Sequence, residues 1–276
     1  MAKTLIDVAE VQQRAESGQR TVLLDVRWAL GDPNGREHYL ESHSPGAVYV
    51  SRATELAGAG LPQEGRHPLP SIADFQASAR RWGINDADLV VGYDDSGNLA
   101  AARLWWLLRH AGFESVRLRD GGLAACRAAG LPTEAVEIRN PPGTVSLEFG
   151  RMPVVSLEQA AGWSEHGVLL DARAGERYRG ETEPVDPRAG HIPGARSRPT
   201  SENLDAAQKF RPAAERAADF AALGAVPGAE VAANCGSGVT AAHQVAALEI
   251  AGIRAALFPG SWSAWSQHPE LPVATG

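Results

Sequence analysis

The chain has 276 residues, 44% hydrophobic and 21% charged, the balance of a soluble globular protein with room for one large domain or two ordinary ones. A formal net charge of -7 with no basic stripe argues against a nucleic-acid partner, so a small anionic ligand would have to be met by local arginines. No apolar run is long enough to span a bilayer and the start Met1-Ala2-Lys3-Thr4 lacks signal-peptide character, so no membrane association and a cytoplasmic location are expected.

Leu5 to Ser17 has the spacing of an amphipathic helix, and the apolar run Thr21 to Val26 predicts a strand closing on Asp25-Val26-Arg27. A Pro-Gly turn follows at Ser42 to Ala47. Next come Leu89 to Gly97, an apolar run ending in Asp94-Asp95-Ser96-Gly97, and Leu104 to Gly112, whose Trp105 and Trp106 fit a helix face packed into a core. Asp120-Gly121-Gly122 then marks a turn, and Cys126 lies in a small apolar stretch as a packed thiol. Leu131 to Arg151, with Pro132, Pro141, Pro142 and Gly143, reads as an extended linker.

The second half repeats the first. A helix over Val155 to Trp163 precedes Gly167 to Arg173, which closes on Asp171-Ala172-Arg173, and Gly190 to Ala195 answers the Pro-Gly turn. A strand over Ala229 to Ala233 leads into Asn234-Cys235-Gly236-Ser237-Gly238, a helix over Ala241 to Ala251, and Pro259-Gly260-Ser261. Five landmarks recur in one order, which is the signature of an internal duplication. Each copy alternates short apolar strands with helices, the pattern of a parallel sheet covered on both faces. The fold class is therefore read as α/β, two tandem domains over 1–140 and 151–276, with the boundary near Asn140 to Gly150.

Chemistry concentrates where the second strand-turn-helix carries a cysteine. Gly236 and Gly238 let the backbone turn tightly, so that several N–H groups can converge on the Cys235 sulfur at the positive end of the following helix. Ser237 and Thr240 add hydroxyl donors. Such a turn favours an anion over a neutral thiol and makes the sulfur a nucleophile. The first copy has Asp94 at the equivalent point, where a carboxylate would occupy the anion site itself, so that copy is read as non-catalytic. Asp94 with Asp95 as an acid–base pair or metal site is the competing reading there. Asp25 with Arg27, Asp171 with Arg173, His43 and His191 occur in both copies and are read as scaffold. Glu176 to Arg188 is an arginine-rich loop found only in the second copy, and guanidinium groups suit a carboxylate or a sulfur oxyanion.

The run Cys235-Gly236-Ser237-Gly238-Val239-Thr240-Ala241 resembles the active-site loop of the tandem-domain rhodanese superfamily. Within it the likeness is to 3-mercaptopyruvate sulfurtransferases, because thiosulfate sulfurtransferases carry basic residues after the cysteine. The resemblance implies a pair of rhodanese domains of which the first has lost its cysteine. It also implies a two-step sulfurtransferase in which Cys235 takes sulfur from 3-mercaptopyruvate, or alternatively thiosulfate, and passes it from a persulfide to a thiol, a thioredoxin-like protein or cyanide. Neither a metal nor an organic cofactor is implied.

By the same resemblance Arg177 reaches the substrate, Arg188 matches a second substrate arginine, and Gly236, Gly238, Val239 and Thr240 line the binding loop. Trp262 and Trp265 resemble the closing motif. His67 matches the histidine of a serine–histidine–aspartate relay that would include Ser237, although the position of the acidic partner falls in Ser51-Arg52-Ala53, which has no carboxylate. Two other classes stay in view. A Cys-x5-Arg phosphatase would need an arginine where Ala241 stands, and a non-enzymatic rhodanese module would not need the intact Cys235 loop.

Overall fold

The apolar runs become the inner strands of two separate parallel sheets in the computed structural model, which describes residues 3–276; Met1 and Ala2, part of the start read above as lacking signal-peptide character, lie outside the described residues. One unit comprises the chain up to Ala57 with 70–152 and 206–210, and the other comprises 58–69, 153–205 and 211–276. The sequence-derived division at 140–150 therefore differs from these units. The stretch read as a linker packs on the first unit, with Val145 and Leu147 buried and the Val145 and Glu148 amides donating to the Ile84 and Ala111 carbonyls. Proline and glycine content had masked those two apolar anchors. The second difference is that residues 58–69, early in the chain, belong to the second unit.

In the first unit the order is β1 (Leu5–Ile6), α1 (Val8–Glu16), β2 (Thr21–Asp25), α2 (Gly35–Glu41), β3 (Val48–Tyr49), α3 (Arg52–Glu55), α4 (Ile72–Arg81), β4 (Leu89–Tyr93), α5 (Ala101–His110), β5 (Val116–Arg119) and α6 (Gly122–Ala128). The sheet runs β1-β5-β4-β2-β3 with parallel pairing throughout. The helix expected from Leu5 starts three residues later, because Asp7 caps it by accepting the Glu10 amide and Leu5–Ile6 instead pair with β5. Strand β4 is buried along its whole length, and α5 buries both Trp105 and Trp106, which is what a sheet covered on two faces requires.

The second unit follows with α7 (Leu157–Gly162), β6 (Val168–Asp171), α8 (Gly175–Tyr178), β7 (Arg196–Ser197), α9 (Ala213–Ala222), β8 (Val231–Asn234), α10 (Thr240–Ile250), β9 (Ala256–Leu257) and α11 (Ser261–Trp265), in a parallel sheet ordered β7-β6-β8-β9. Ser156 and Gln159 form a reciprocal cap at the start of α7. Trp262 and Trp265 sit in the core with Leu169, Ile192, Ala232 and Phe258.

Register makes the duplication exact in position if not in sequence. Asp25 pairs with Tyr93 across β2 and β4, and Asp171 pairs with Asn234 across β6 and β8. The next residue leaves the sheet in each unit, and it is Asp94 in one and Cys235 in the other. The recurrent ion pairs are buried scaffold: Arg27 meets Asp25 at 2.8 Å, and Arg173 meets Asp171 at 2.7 Å. His43 and His191 stack on Tyr39 and Tyr178 and use Nδ1 on the Tyr39 and Tyr178 carbonyls, at 2.7 and 2.8 Å.

Candidate active site

Cys235 follows the last residue of β8 and lies at the head of α10, and it is only 1% exposed. The Gly238 N–H points at its sulfur, with nitrogen 3.1 Å from Sγ. Only glycine fits at that position. Its φ is +75°, and a Cβ there would meet the Pro259 carbonyl oxygen at 2.3 Å. Val239, the N-cap of α10, gives the helix no side-chain cap, and Thr240 opens its first turn. An anion at the sulfur therefore faces the positive end of an eleven-residue helix.

The turn is held from below by α11. Trp262 and Ser263 donate their amides to the Cys235 and Gly236 carbonyls at 3.0 and 2.8 Å, and Ser261 Oγ accepts the Cys235 N–H at 3.0 Å while lying 4.0 Å from Sγ. Ser261 is a non-glycine residue at φ +52°, a strained backbone kept by these contacts. Sequence reasoning used Ser261 only as a landmark; its signal was its position directly after Pro259-Gly260 in the closing motif.

The inert copy displays what such a turn does to an anion. Asp94 Oδ1 accepts the amides of Ser96 and Asn98 at 2.9 and 2.7 Å, and Oδ2 accepts those of Ala100 and Ala101 at 2.8 and 3.1 Å. Four N–H donors thus enclose one fixed carboxylate. Asp95 is 3.3 Å from Arg27, so the two acids are engaged separately, and the acid–base or metal reading of the pair gives way to an anion site filled from within. Cys126 is buried in that unit with Ser44 Oγ 3.9 Å from its sulfur, as a packed thiol should be.

Of the residues expected around the sulfur, Ser237 and His67 come together, with His67 Nδ1 2.7 Å from Ser237 Oγ. Arg177, on α8, also reaches the turn. A Cβ added to Gly236 would lie 3.4 Å from Arg177 Nη1, and equally 3.4 Å from Nη2 of Arg66, a residue that sequence reasoning passed over although it adjoins His67. Arg177 Nε is buried without a hydrogen-bond partner, a donor facing no acceptor of the protein.

Two acids neutralise these guanidinium groups. Glu183 Oε1 accepts from Arg177 Nη2 at 2.6 Å and from the Val185 and Asp186 amides, both at 3.2 Å. Asp186 contacts Arg66 directly and stands 3.7 Å from Arg177, its side chain only 2% exposed. Burial holds the Asp186 carboxyl above its usual range, against the pull of Arg66, Arg177 and Arg173 and helped by repulsion from Glu183.

Arg188 is a correction. The expectation put it on the substrate, but its Nε, Nη1 and Nη2 donate to the carbonyls of Ser266, Leu271, Trp265 and His268 at 2.6–3.0 Å. It clamps the chain end behind α11, and the arginine that joins Arg177 against Gly236 is Arg66.

These features converge with the comparisons. The profile of the rhodanese-like domain matches residues 7–129 and again 156–268, and the chain belongs to that family as a tandem pair. A Mycobacterium tuberculosis protein, provisionally named thiosulfate sulfurtransferase SseB, is 43% identical over 279 residues, covering 99% of this chain and 98% of its own. A Pseudomonas aeruginosa protein, provisionally named 3-mercaptopyruvate sulfurtransferase, is 43% identical over 266 residues, covering 92% of each. The crystal structure of SseA from Escherichia coli, titled as a 3-mercaptopyruvate sulfotransferase, superposes with a TM-score of 0.82 at 28% identity, covering 94% of this chain and 99% of that one. The chain is a two-domain sulfurtransferase. No helix among the described residues is long and apolar enough to cross a membrane.

Proposed function

We propose that this sulfurtransferase draws its sulfur from 3-mercaptopyruvate through a persulfide on Cys235. The observation that carries the reading is the sulfur itself, placed at the head of α10 with the Gly238 amide 3.1 Å away. In the first step Cys235 Sγ, as thiolate, forms a bond to the donor sulfur. The donor's carbon–sulfur bond breaks, its electron pair goes to carbon as the enolate of pyruvate, and a proton completes the methyl group. Ser237 and His67, in hydrogen-bond contact, are the groups placed to relay that proton. In the second step a thiol, including that of a thioredoxin-like protein, or cyanide takes the outer sulfur and Cys235 leaves as thiolate. Gly236, Gly238, Val239 and Thr240 form the turn that holds the persulfide. A cytoplasmic location belongs to this reading, since the chemistry needs Cys235 reduced.

The choice of donor rests on charge. Gly236 and Ser237 are neutral, and the guanidinium groups of Arg66 and Arg177 lie against Gly236. Yet Arg66 and Arg177 are matched by Glu183 and Asp186, so the pair offers directional donors with little net positive charge. Such a site suits one carboxylate better than a dianion such as thiosulfate. The second-order rate constants of persulfide formation with the two donors, at one pH and ionic strength, test the reading. A larger constant for mercaptopyruvate is expected; a larger one for thiosulfate would reassign the donor.

A further inference from the structure

Among the charged groups near the sulfur, Asp186 alone has no evident structural duty. Glu183 organises its loop by accepting two backbone amides and bridging Arg177 and Arg173, the latter at 3.5 Å. Asp171 fixes Arg173 through both carboxylate oxygens. Asp186, by contrast, has one oxygen on Arg66 and leaves Oδ2 buried without a hydrogen bond. A buried carboxylate with an unsatisfied oxygen costs stability, and its position between Arg66 and Arg177 offers a function in return.

We propose that Asp186 sets the donor selectivity of the enzyme, its fixed negative charge between Arg66 and Arg177 admitting a singly charged donor and excluding a doubly charged one. The inference rests on the reading that the donor anion sits against these arginines beside Cys235. The donor's anionic group is met by the nitrogens turned toward Gly236, Arg177 Nη1 and Arg66 Nη2. Asp186 keeps its own place and acts on the donor through space. Its repulsion is proportional to the charge that the donor carries, so it falls twice as heavily on thiosulfate as on mercaptopyruvate.

That proportionality gives a test that a structural role does not pass. In D186N the amide keeps the shape and can still accept from Arg66, while one negative charge is removed. The rate constant of persulfide formation should rise about tenfold for mercaptopyruvate and, by the square of that factor, about a hundredfold for thiosulfate. The ratio of thiosulfate to mercaptopyruvate rates should also rise in the wild type on acidification as Asp186, its carboxyl raised by burial and facing Arg66, Arg173, Arg177 and Glu183, takes up its proton. The same ratio should be flat in D186N.

Equal factors for the two donors, or a fall for both, would overturn the proposal and make Asp186 a prop for the arginines. If D186N does not fold, the wild-type ratio decides, and a ratio independent of pH overturns it. A wild type that prefers thiosulfate would refute the donor assignment, whereas the Asp186 inference is read from the change between D186N and wild type, so the two failures are distinct.

Discussion

Replacing Gly238 by alanine strikes the nearer of two donors to the sulfur, 3.1 Å from Sγ against 4.0 Å for Ser261 Oγ. The new Cβ would lie 2.3 Å from the Pro259 carbonyl oxygen, so the turn and the chain before α11 must separate by about 1 Å to reach ordinary contact. The left-handed φ of +75° adds about 1–2 kcal/mol of strain and the crowding about 1–3 kcal/mol more. A 1 Å shift takes the amide from 3.1 Å to a distance at which little of its bond to Sγ survives. Loss of one preorganised donor to a reacting anion costs on the order of 10²–10³ in rate. Stopped-flow measurement of persulfide formation should show that loss in G238A, with unfolding free energy reduced by about 2–5 kcal/mol. A G238A enzyme at the wild-type rate would refute the role given to the turn.

Two predictions concern residues outside the chemistry. R188A removes the donors of four backbone carbonyls, so it should lower the denaturation midpoint by a loss of about 3–5 kcal/mol while leaving the donor KM of the folded enzyme nearly unchanged; a raised KM with unaltered stability would return Arg188 to the substrate. His110, stacked between Trp106 and Phe149, has its pKa lowered by burial, with Arg103 adding to the effect and the Met152 carbonyl opposing it. The unfolded chain therefore takes up this proton first. Stability present above the unfolded value of about 6.5 should decline as pH falls from about 7 toward 5, and H110F should flatten that slope in denaturant titrations; an unchanged slope would show that His110 is not its source.

The duplication, the parallel sheets and the cysteine turn were legible because each depends on local pattern. Apolar runs give β2, β4, β6 and β8, and two glycines mark the turn after Asn234. Asp94 was legible for the same reason, since a carboxylate at the end of β4 can be compared with Cys235 by counting from the strand. Arg188 was misread because a loop's residue count does not give the direction of a side chain, and its guanidinium is directed at the Trp265 and His268 carbonyls behind α11. Arg66 was missed because the pairing that reveals it spans 120 residues, to Asp186, and no pattern within residues 58–69 announces that they join the second unit. The stretch around Val145 was misjudged from its prolines, although two buried apolar residues there outweigh the composition of the segment.

The central claim is a persulfide on Cys235, and intact mass with peptide mapping after one turnover with 3-mercaptopyruvate and no acceptor tests it most directly. The account predicts one added sulfur atom, located on Cys235, released as thiocyanate by cyanide, retained in C126S and absent from a folded C235S. Sulfur found on Cys126 instead, or turnover that continues in C235S, would contradict it.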